Sequence, residues 1–252
     1  ALGAALTGVT TVGRDRGLDF VRVEPVADVA EADLTRFGAR RAPAVQPRHT
    51  WVIDLEPEES ALSAQLTAGQ RRNVRAAERK GLTFRRSRDP ADANLFLALI
   101  GGTGARSGFR PHSDDYYRTL LEILMPLGAG CLHLAEADGR AVAAVIEFTF
   151  GDTSYYGHAA ADIEMNRRLR ASAPLVWSIM MQAKAAGRRH FDFWGILPEH
   201  EADHPWAGFS RFKKSFGGRL VRRAGTWEVP LKPVKYHLYT QLRRWSGRRG
   251  EE

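Results

Sequence analysis

The residues best suited to chemistry crowd into one short segment, Phe209-Ser210-Arg211-Phe212-Lys213-Lys214-Ser215-Phe216-Gly217-Gly218. An earlier stretch, Thr35-Arg36-Phe37-Gly38-Ala39, has the same Ser/Thr-Arg-Phe core and lacks the lysines. A cation placed in one copy and absent from the other marks one working site and one scaffold. Asp192 lies nearby, in Phe191-Asp192-Phe193-Trp194. A buried carboxylate beside Arg or Lys can act as a general base with a shifted pKa, or it can anchor a loop. The anchor is favoured, because Asp19 in Leu18-Asp19-Phe20 repeats the pattern where no lysine follows. Glu199-His200 and Asp203-His204 carry ligand-type side chains, but the flanking Pro198 and Pro205 argue for a loop and against a metal site. There is no Gly-rich phosphate loop and no serine or cysteine nucleophile motif.

The elements that position these residues form two copies of one unit. Leu18-Asp19-Phe20 matches Phe191-Asp192-Phe193, and Trp51-Val52-Ile53-Asp54-Leu55 matches Trp227-Glu228-Val229-Pro230-Leu231. The landmarks keep nearly the same spacing in both copies. A duplicated supersecondary unit implies two domains of one fold. The run from about Glu56 to Ser172 has no counterpart before Ala1, so the first domain is expected to be only its C-terminal part. Half a sheet leaves an open edge, which favours association. The expected division is 1–55, 56–232 and a basic C-terminal helix and tail over 233–252.

Within the second domain, Glu58 to Lys80 reads as a helix in two pieces around Thr67-Ala68-Gly69, with Gly81 as its stop. Asp89-Pro90 and Ser113 open two further helices. Strand candidates follow at Cys131 to Glu136, Ala141 to Phe150 and Ser154 to Ala159, joined by the hairpin signals Asp138-Gly139 and Gly151-Asp152. A helix from Pro174 to Ala186, a strand from His190 to Trp194, a short helix from Trp206 to Phe216, a strand from Leu220 to Trp227 and a helix from Lys235 to Arg244 complete the order. Three antiparallel strands, a helix and a strand make the order of a GNAT-type acyltransferase. The expected class is therefore α/β (α+β), with GNAT-like domains in tandem.

Composition narrows the partners. The 252 residues carry a net charge of +8, and from Pro205 onward twelve Lys/Arg face three Glu. That balance favours polyanionic partners: nucleic acid, phosphorylated substrate or an anionic membrane face. The alternative is a general preference for arginine with no patch at all. The single Cys131 excludes an internal disulfide, fits a reducing cytoplasm and reads as a small buried hydrophobe.

Several motifs together resemble the Fem family of aminoacyl-tRNA-dependent peptidoglycan cross-bridge transferases. They are Arg71-Arg72-Asn73-Val74-Arg75-Ala76, Gly108-Phe109 with His112-Ser113 and Tyr116-Tyr117, Tyr155-Tyr156-Gly157, Ala173-Pro174-Leu175, Phe191 through Ile196, His204 through Gly208, and Phe212-Lys213. The resemblance implies a tandem GNAT fold and attack of a stem-peptide amine on the aminoacyl ester of tRNA. It makes Lys213, with Phe212 beside it, the catalytic cation that stabilises the oxyanion. It makes Tyr156 and Tyr116 contacts to the sugar-nucleotide precursor, although each tyrosine can equally be a core residue. Where a family member has an arginine four residues before the second tyrosine, His112 stands here, with Arg110 two residues earlier; either can meet the diphosphate. Arg211 and Asp192 complete the expected site.

The resemblance further implies aminoacyl-tRNA and a peptidoglycan precursor (lipid II or UDP-MurNAc-peptide) as partners, with no metal or redox cofactor. It places the protein in the cytoplasm, with peripheral contact at the inner membrane face. No Arg/Gln-x-x-Gly-x-Gly loop for acyl-CoA pyrophosphate is present, which favours the tRNA donor. Two other readings stay open: a Fem-like N-acyltransferase of another envelope or exopolysaccharide pathway, and a non-catalytic module that binds tRNA or membrane.

Overall fold

The structure is a computed structural model that describes residues 2–26, 29–107, 111–198 and 204–248. It divides into two compact units, 1–48 with 222–252, and 49–221. Its helices are α1 (Leu2–Asp15), α2 (Glu31–Arg36), α3 (Glu59–Gln65), α4 (Ala68–Arg75), α5 (Ala93–Ser107), α6 (Asp114–Leu124), α7 (Ile163–Leu169), α8 (Ser172–Ala185), α9 (Ala207–Lys214) and α10 (Pro233–Arg248). Its strands are β1 (Phe20–Val23), β2 (Arg40–Arg41), β3 (His49–Asp54), β4 (Thr83–Ser87), β5 (Gly130–Ala137), β6 (Arg140–Phe150), β7 (Thr153–Ala161), β8 (His190–Gly195), β9 (Arg219–Arg222) and β10 (Trp227–Pro230).

The larger unit is built on a seven-stranded sheet in the order β4-β5-β6-β7-β8-β3-β9. The hairpin signals do what their residue types require. Asp138 and Gly139 turn the chain at φ 51° and 73°, and Gly151 at φ 58°. The apolar faces of α5 and α6 pack on one side of the sheet, around Phe96, Tyr117, Leu132, Leu134 and Ile146. On the other side α3 and α8 supply Leu62, Leu175, Val176, Ile179 and Met180, packed with Val145, Phe191 and Phe193. Strands buried on both faces read as continuous apolar runs, and Ala141 to Ile146 is one.

The sheet opens at one place. β7 and β8 run parallel, but their ladder is short, from Thr153↔His190 to Tyr155↔Asp192. Just past it, β7 is bulged against β6, where Ile146↔His158 is followed by Glu147↔Tyr156. The extra residue is Gly157, whose Cβ would stand 2.3 Å from the Phe148 ring. Beyond the ladder on β8, Trp194 takes φ 64°, a left-handed conformation that is rare for a bulky side chain.

The smaller unit has a three-stranded sheet, β1-β10-β2, over a core of Leu6, Leu34, Ala39, Ala224, Trp227 and Val229. The two sheets show what the repeat means. In the first, β10 lies between β1 and β2; in the second, β3 lies between β8 and β9. Each copy therefore contributes its last strand to the sheet of the other.

This exchange corrects the boundaries expected from sequence. The chain divides after Arg48 and Val221, not at Leu55 and Lys232, because a strand belongs with the sheet that satisfies its N–H and C=O groups. It also shifts the alignment of the copies. Arg22 pairs Glu228, whereas Asp192 pairs Val52. With Trp51 matched to Trp227, the counterpart of Asp192 is Arg22, three residues beyond Asp19. The single strand expected from Leu220 to Trp227 is two, β9 and β10, separated by a turn at Gly225 with φ 81°.

Candidate active site

α9 begins after Trp206 and runs through Lys214. Its helical spacing turns Ser210 and Lys213 inward, both buried. The corresponding helix of the first copy, α2, ends at Arg36, and Gly38 follows at φ 75°. The helix thus stops before the position that Lys213 occupies in the second copy. Lys213 and Lys214 have different surroundings. Lys214 is half-buried with its ammonium 5.7 Å from the Trp51 ring centroid, while Lys213 is only 8% exposed.

Lys213 Nζ donates to the Gly195 carbonyl at 2.6 Å and lies 4.8 Å from the Phe209 ring centroid. Burial brings its pKa down to about 8, against the opposing charge of Asp192. The Gly195 carbonyl is aimed by the turn before it. Asp192, 2% exposed, accepts the N–H of Trp194 at 2.8 Å and braces the left-handed residue. On the other side of the turn, Ser210 Oγ accepts the Leu197 N–H at 3.1 Å and joins α9 to the end of β8.

Beside these residues lies a cavity of about 670 Å³. Phe209 and Phe212 of α9 form one wall, Tyr156 and the alanines of β7 another, and Ser172, Ala173 and Leu175 of α8 a third. Gln70, Asn73, Asn166 and Arg170 give it polar edges. Gln70 donates to Ser215 Oγ at 3.0 Å and accepts from Asn73 at 3.1 Å, which fixes the α4 side of the wall to the end of α9. Burial pushes the Tyr156 hydroxyl well above its usual range. A pocket of this size with an apolar lining, a few polar groups and an adjacent buried cation is the form of a small-substrate site.

The other expected site residues are placed differently. Tyr116 stacks on His112 at 4.0 Å and meets His158 edge-on at 5.9 Å. His158 pairs with Ile146 and so faces the α5/α6 layer, while Tyr156 faces α8. The bulge at Gly157 puts the two on opposite faces, although they are two residues apart. Tyr116 and His112 therefore do not share a wall with Tyr156. Arg211 is exposed and lies outside the cavity lining. Arg110 lies outside the described residues, as do Glu199, His200 and Asp203. His204 accepts the Trp206 N–H at 3.0 Å through Nδ1.

Residues 67–214 match the family described as "Acetyltransferase (GNAT) domain". The chain belongs to this family. The matched span starts at Thr67 before α4 and ends at Lys214, so it holds the cavity, the β7–β8 opening and Lys213. The Fem resemblance holds over most of the chain. A lipid II:glycine glycyltransferase of Staphylococcus saprophyticus is 21% identical over 79% of this chain and 62% of the relative. One from Staphylococcus aureus is 20% identical over the same shares. The chain thus spans about 62% of the length of the curated relatives it matches. Among solved structures, the crystal structure of FemX superposes with a TM-score of 0.83 at 19% identity, covering 94% of this chain and 78% of that one. The structure of L-PGS from Bacillus licheniformis gives 0.57 at 16% identity, covering 92% and 75%. These two likenesses show the fold.

Sequence reasoning missed a second polar constellation. Cys131, His133 and Glu147 lie buried on adjacent strands, with their ligand-type atoms all within 4.8 Å of one another. His133 Nε2 is 2.7 Å from Glu147 Oε2, Cys131 donates to Glu147 at 3.0 Å, and Ser154 donates to the other carboxylate oxygen at 2.5 Å. Arg86 donates to the sulfur at 3.2 Å. Burial alone would raise the Glu147 pKa, but His133, then Ser154 and Cys131, outweigh it and bring it to about 2. Burial and the neighbouring carboxylate push the Cys131 thiol up to about 12. Cys131 is therefore not a plain hydrophobe but a hydrogen-bonding member of a network. The signal was present in sequence only as Cys131 and His133 two residues apart, and their partners come from other strands.

Proposed function

We propose that this GNAT-family chain transfers an amino acid from aminoacyl-tRNA to a stem-peptide amine of a peptidoglycan precursor, and so builds the interpeptide bridge. The observation that carries the reading is the buried ammonium of Lys213, 4.8 Å from the ring centroid of Phe209, which lines the cavity. The relatives' names contribute the acceptor, lipid II, and the amino acid class, glycine. The chain has no acyl-CoA pyrophosphate loop, which favours tRNA as donor.

In this reading the amine attacks the ester carbonyl in the cavity lined by Tyr156, Phe209 and Phe212. The C–N bond forms and the carbonyl electrons move to oxygen. Lys213 leaves the Gly195 carbonyl to meet this oxyanion, supported by its desolvated site, where a charge interaction is stronger than in water. Collapse breaks the ester bond. The tRNA hydroxyl leaves, taking up the proton lost by the amine, and an amide remains. Asp192 holds the Trp194 turn and the charge balance around Lys213. Tyr156 offers its hydroxyl to the precursor and Arg110 is a proposed diphosphate contact, whereas His112 stacks on Tyr116 on the other face of the sheet and takes no part in this step.

The test is transfer by the purified chain from radiolabelled glycyl-tRNA to lipid II, with UDP-MurNAc-pentapeptide as the comparison acceptor. Product that disappears after ribonuclease treatment of the donor supports the reading. Transfer that survives ribonuclease and needs an acyl thioester would replace it with the other N-acyltransferase.

A further inference from the structure

α10 presents an apolar stripe to solvent. Val234, Leu238, Leu242 and Trp245 are 76%, 57%, 66% and 61% exposed. Their spacing of four, four and three residues puts all four within one arc of the helix. The opposite face is fixed to the small sheet. Tyr236 is buried and donates to Glu228 at 2.8 Å, and Arg22 and Arg243 reach the other oxygen of that carboxylate at 2.6 Å and 3.2 Å. Phe20 stacks on Tyr239 at 4.9 Å. These contacts set the rotation of the helix, so the stripe cannot turn inward.

Cationic groups border the stripe: α10 carries no Asp or Glu, and Lys235, 3.9 Å from Asp19, follows Val234 at its edge. A pocket of about 320 Å³ runs along one flank, lined by Arg40, Arg41, His237 and Gln241 among others. Arg41 is paired with Glu31. Arg40 lies 5.9 Å from the Tyr236 ring centroid and has no carboxylate at ion-pair distance among the described residues.

A partner helix would call for an apolar groove facing the stripe, and a nucleic acid would call for basic groups without exposed leucines. Aliphatic side chains, a tryptophan and flanking cations on one fixed helix face suit the boundary between lipid tails and anionic headgroups. No helix among the described residues is long and apolar enough to cross a membrane, so the contact would lie in the surface plane. We propose that the outward face of α10 docks on an anionic bilayer, with Val234, Leu238, Leu242 and Trp245 entering the headgroup region and Arg40 holding a lipid phosphate in the adjoining pocket. The inference stands apart from the transfer reaction, since it uses no residue of the cavity.

The experiment is flotation of the full chain with phosphatidylcholine vesicles and with phosphatidylcholine/phosphatidylglycerol vesicles, with no donor or acceptor present. Binding is expected to the anionic vesicles and to be much weaker to the neutral ones. Leu238→Glu with Leu242→Glu should weaken it more than tenfold, because each leucine loses its apolar burial. Arg40→Ala should weaken it by about fivefold. All three side chains are outside the core, so melting temperatures should stay at the parent value. The proposal is overturned if the parent chain fails to float, or if the leucine variants float like the parent. It is also overturned if they only convert a dimer to a monomer, which would make a second copy of the chain the occupant.

Discussion

Lys213 Nζ lies 2.6 Å from the carbonyl oxygen of Gly195, at the point where β8 leaves the parallel ladder. The carbonyl is a neutral acceptor, so the hydrogen bond that holds the ammonium is to a dipole, while the Asp192 charge offsets part of its desolvation. A cation held by a dipole can move to a developing oxyanion by exchanging a neutral acceptor for a charged one.

Lys213→Met should slow transfer by about 10²–10³ while leaving the fold in place. Removing a desolvated charge should also raise stability at pH 7, by up to about 2 kcal/mol after the orphaned Gly195 carbonyl is counted. Transfer assays and thermal melts read both effects. A variant that is as active as the parent removes Lys213 from the mechanism.

The pKa of about 8 sets a pH signature. The catalytic form is the cation, so transfer should fall as pH rises through about 8. Stability should change in the opposite sense. The lysine is lowered from its ordinary 10.5, so the folded protein carries a charging cost below about pH 8 that is relieved between about 8 and 10.5. Urea melts across that window should show parent stability rising relative to Lys213→Met. A flat difference would mean that the ammonium is not desolvated.

Tyr156→Phe should weaken precursor binding by about 0.5–1.5 kcal/mol with little change in melting temperature. Tyr116→Phe should have a smaller effect, because the ring stacks on His112 on the other face of the sheet. Equal losses for the two would contradict the placement made by the bulge.

Gly157→Ala should destabilise the larger unit by about 2 kcal/mol or more, since the new methyl must displace the Phe148 ring. Phe148→Leu should recover part of that loss. A silent Gly157→Ala would show that β7 can run without its bulge.

Glu147→Ala should cost about 3 kcal/mol or more by leaving His133 and Ser154 without their acceptor. With its carboxyl held near 2 against an ordinary 4.5, the parent keeps the stabilisation above about pH 4.5 and loses it as pH falls towards 2. Acid unfolding of Glu147→Gln should lack that component.

Patterns local to the chain were readable in the sequence. Asp89, Ser113, Gly81 and the hairpin glycines act through residues next to them, and each sits at the turn or cap its type suggests. Lys213 stood out because a second copy lacked it. What sequence could not show depends on register. One inserted residue at Gly157 separates Tyr156 from His158, and nothing in the alternation of Tyr155-Tyr156-Gly157-His158 announces it. In the sequence Glu147 is a single charge within an apolar run, and the groups that meet it, Cys131, His133 and Ser154, come from the neighbouring strands. The copies were visible, but which sheet would take each last strand is settled by pairing between residues more than a hundred positions apart.

The exchanged strands also govern how the chain must fold. β1 has its ladder partner in β10, over 200 residues later. Closing a loop of that length costs about 5 kcal/mol of chain entropy before any contact across it forms. During synthesis β1 therefore waits for β10, the last of the described strands, and β3 waits for β8. High contact order of this kind slows folding. The two bodies differ in this respect: residues 49–221 carry the seven-stranded sheet in one continuous stretch and can complete it alone, and because β3 and β9 are neighbours there, folding of that stretch brings its two ends together and shortens the loop that the smaller sheet must close.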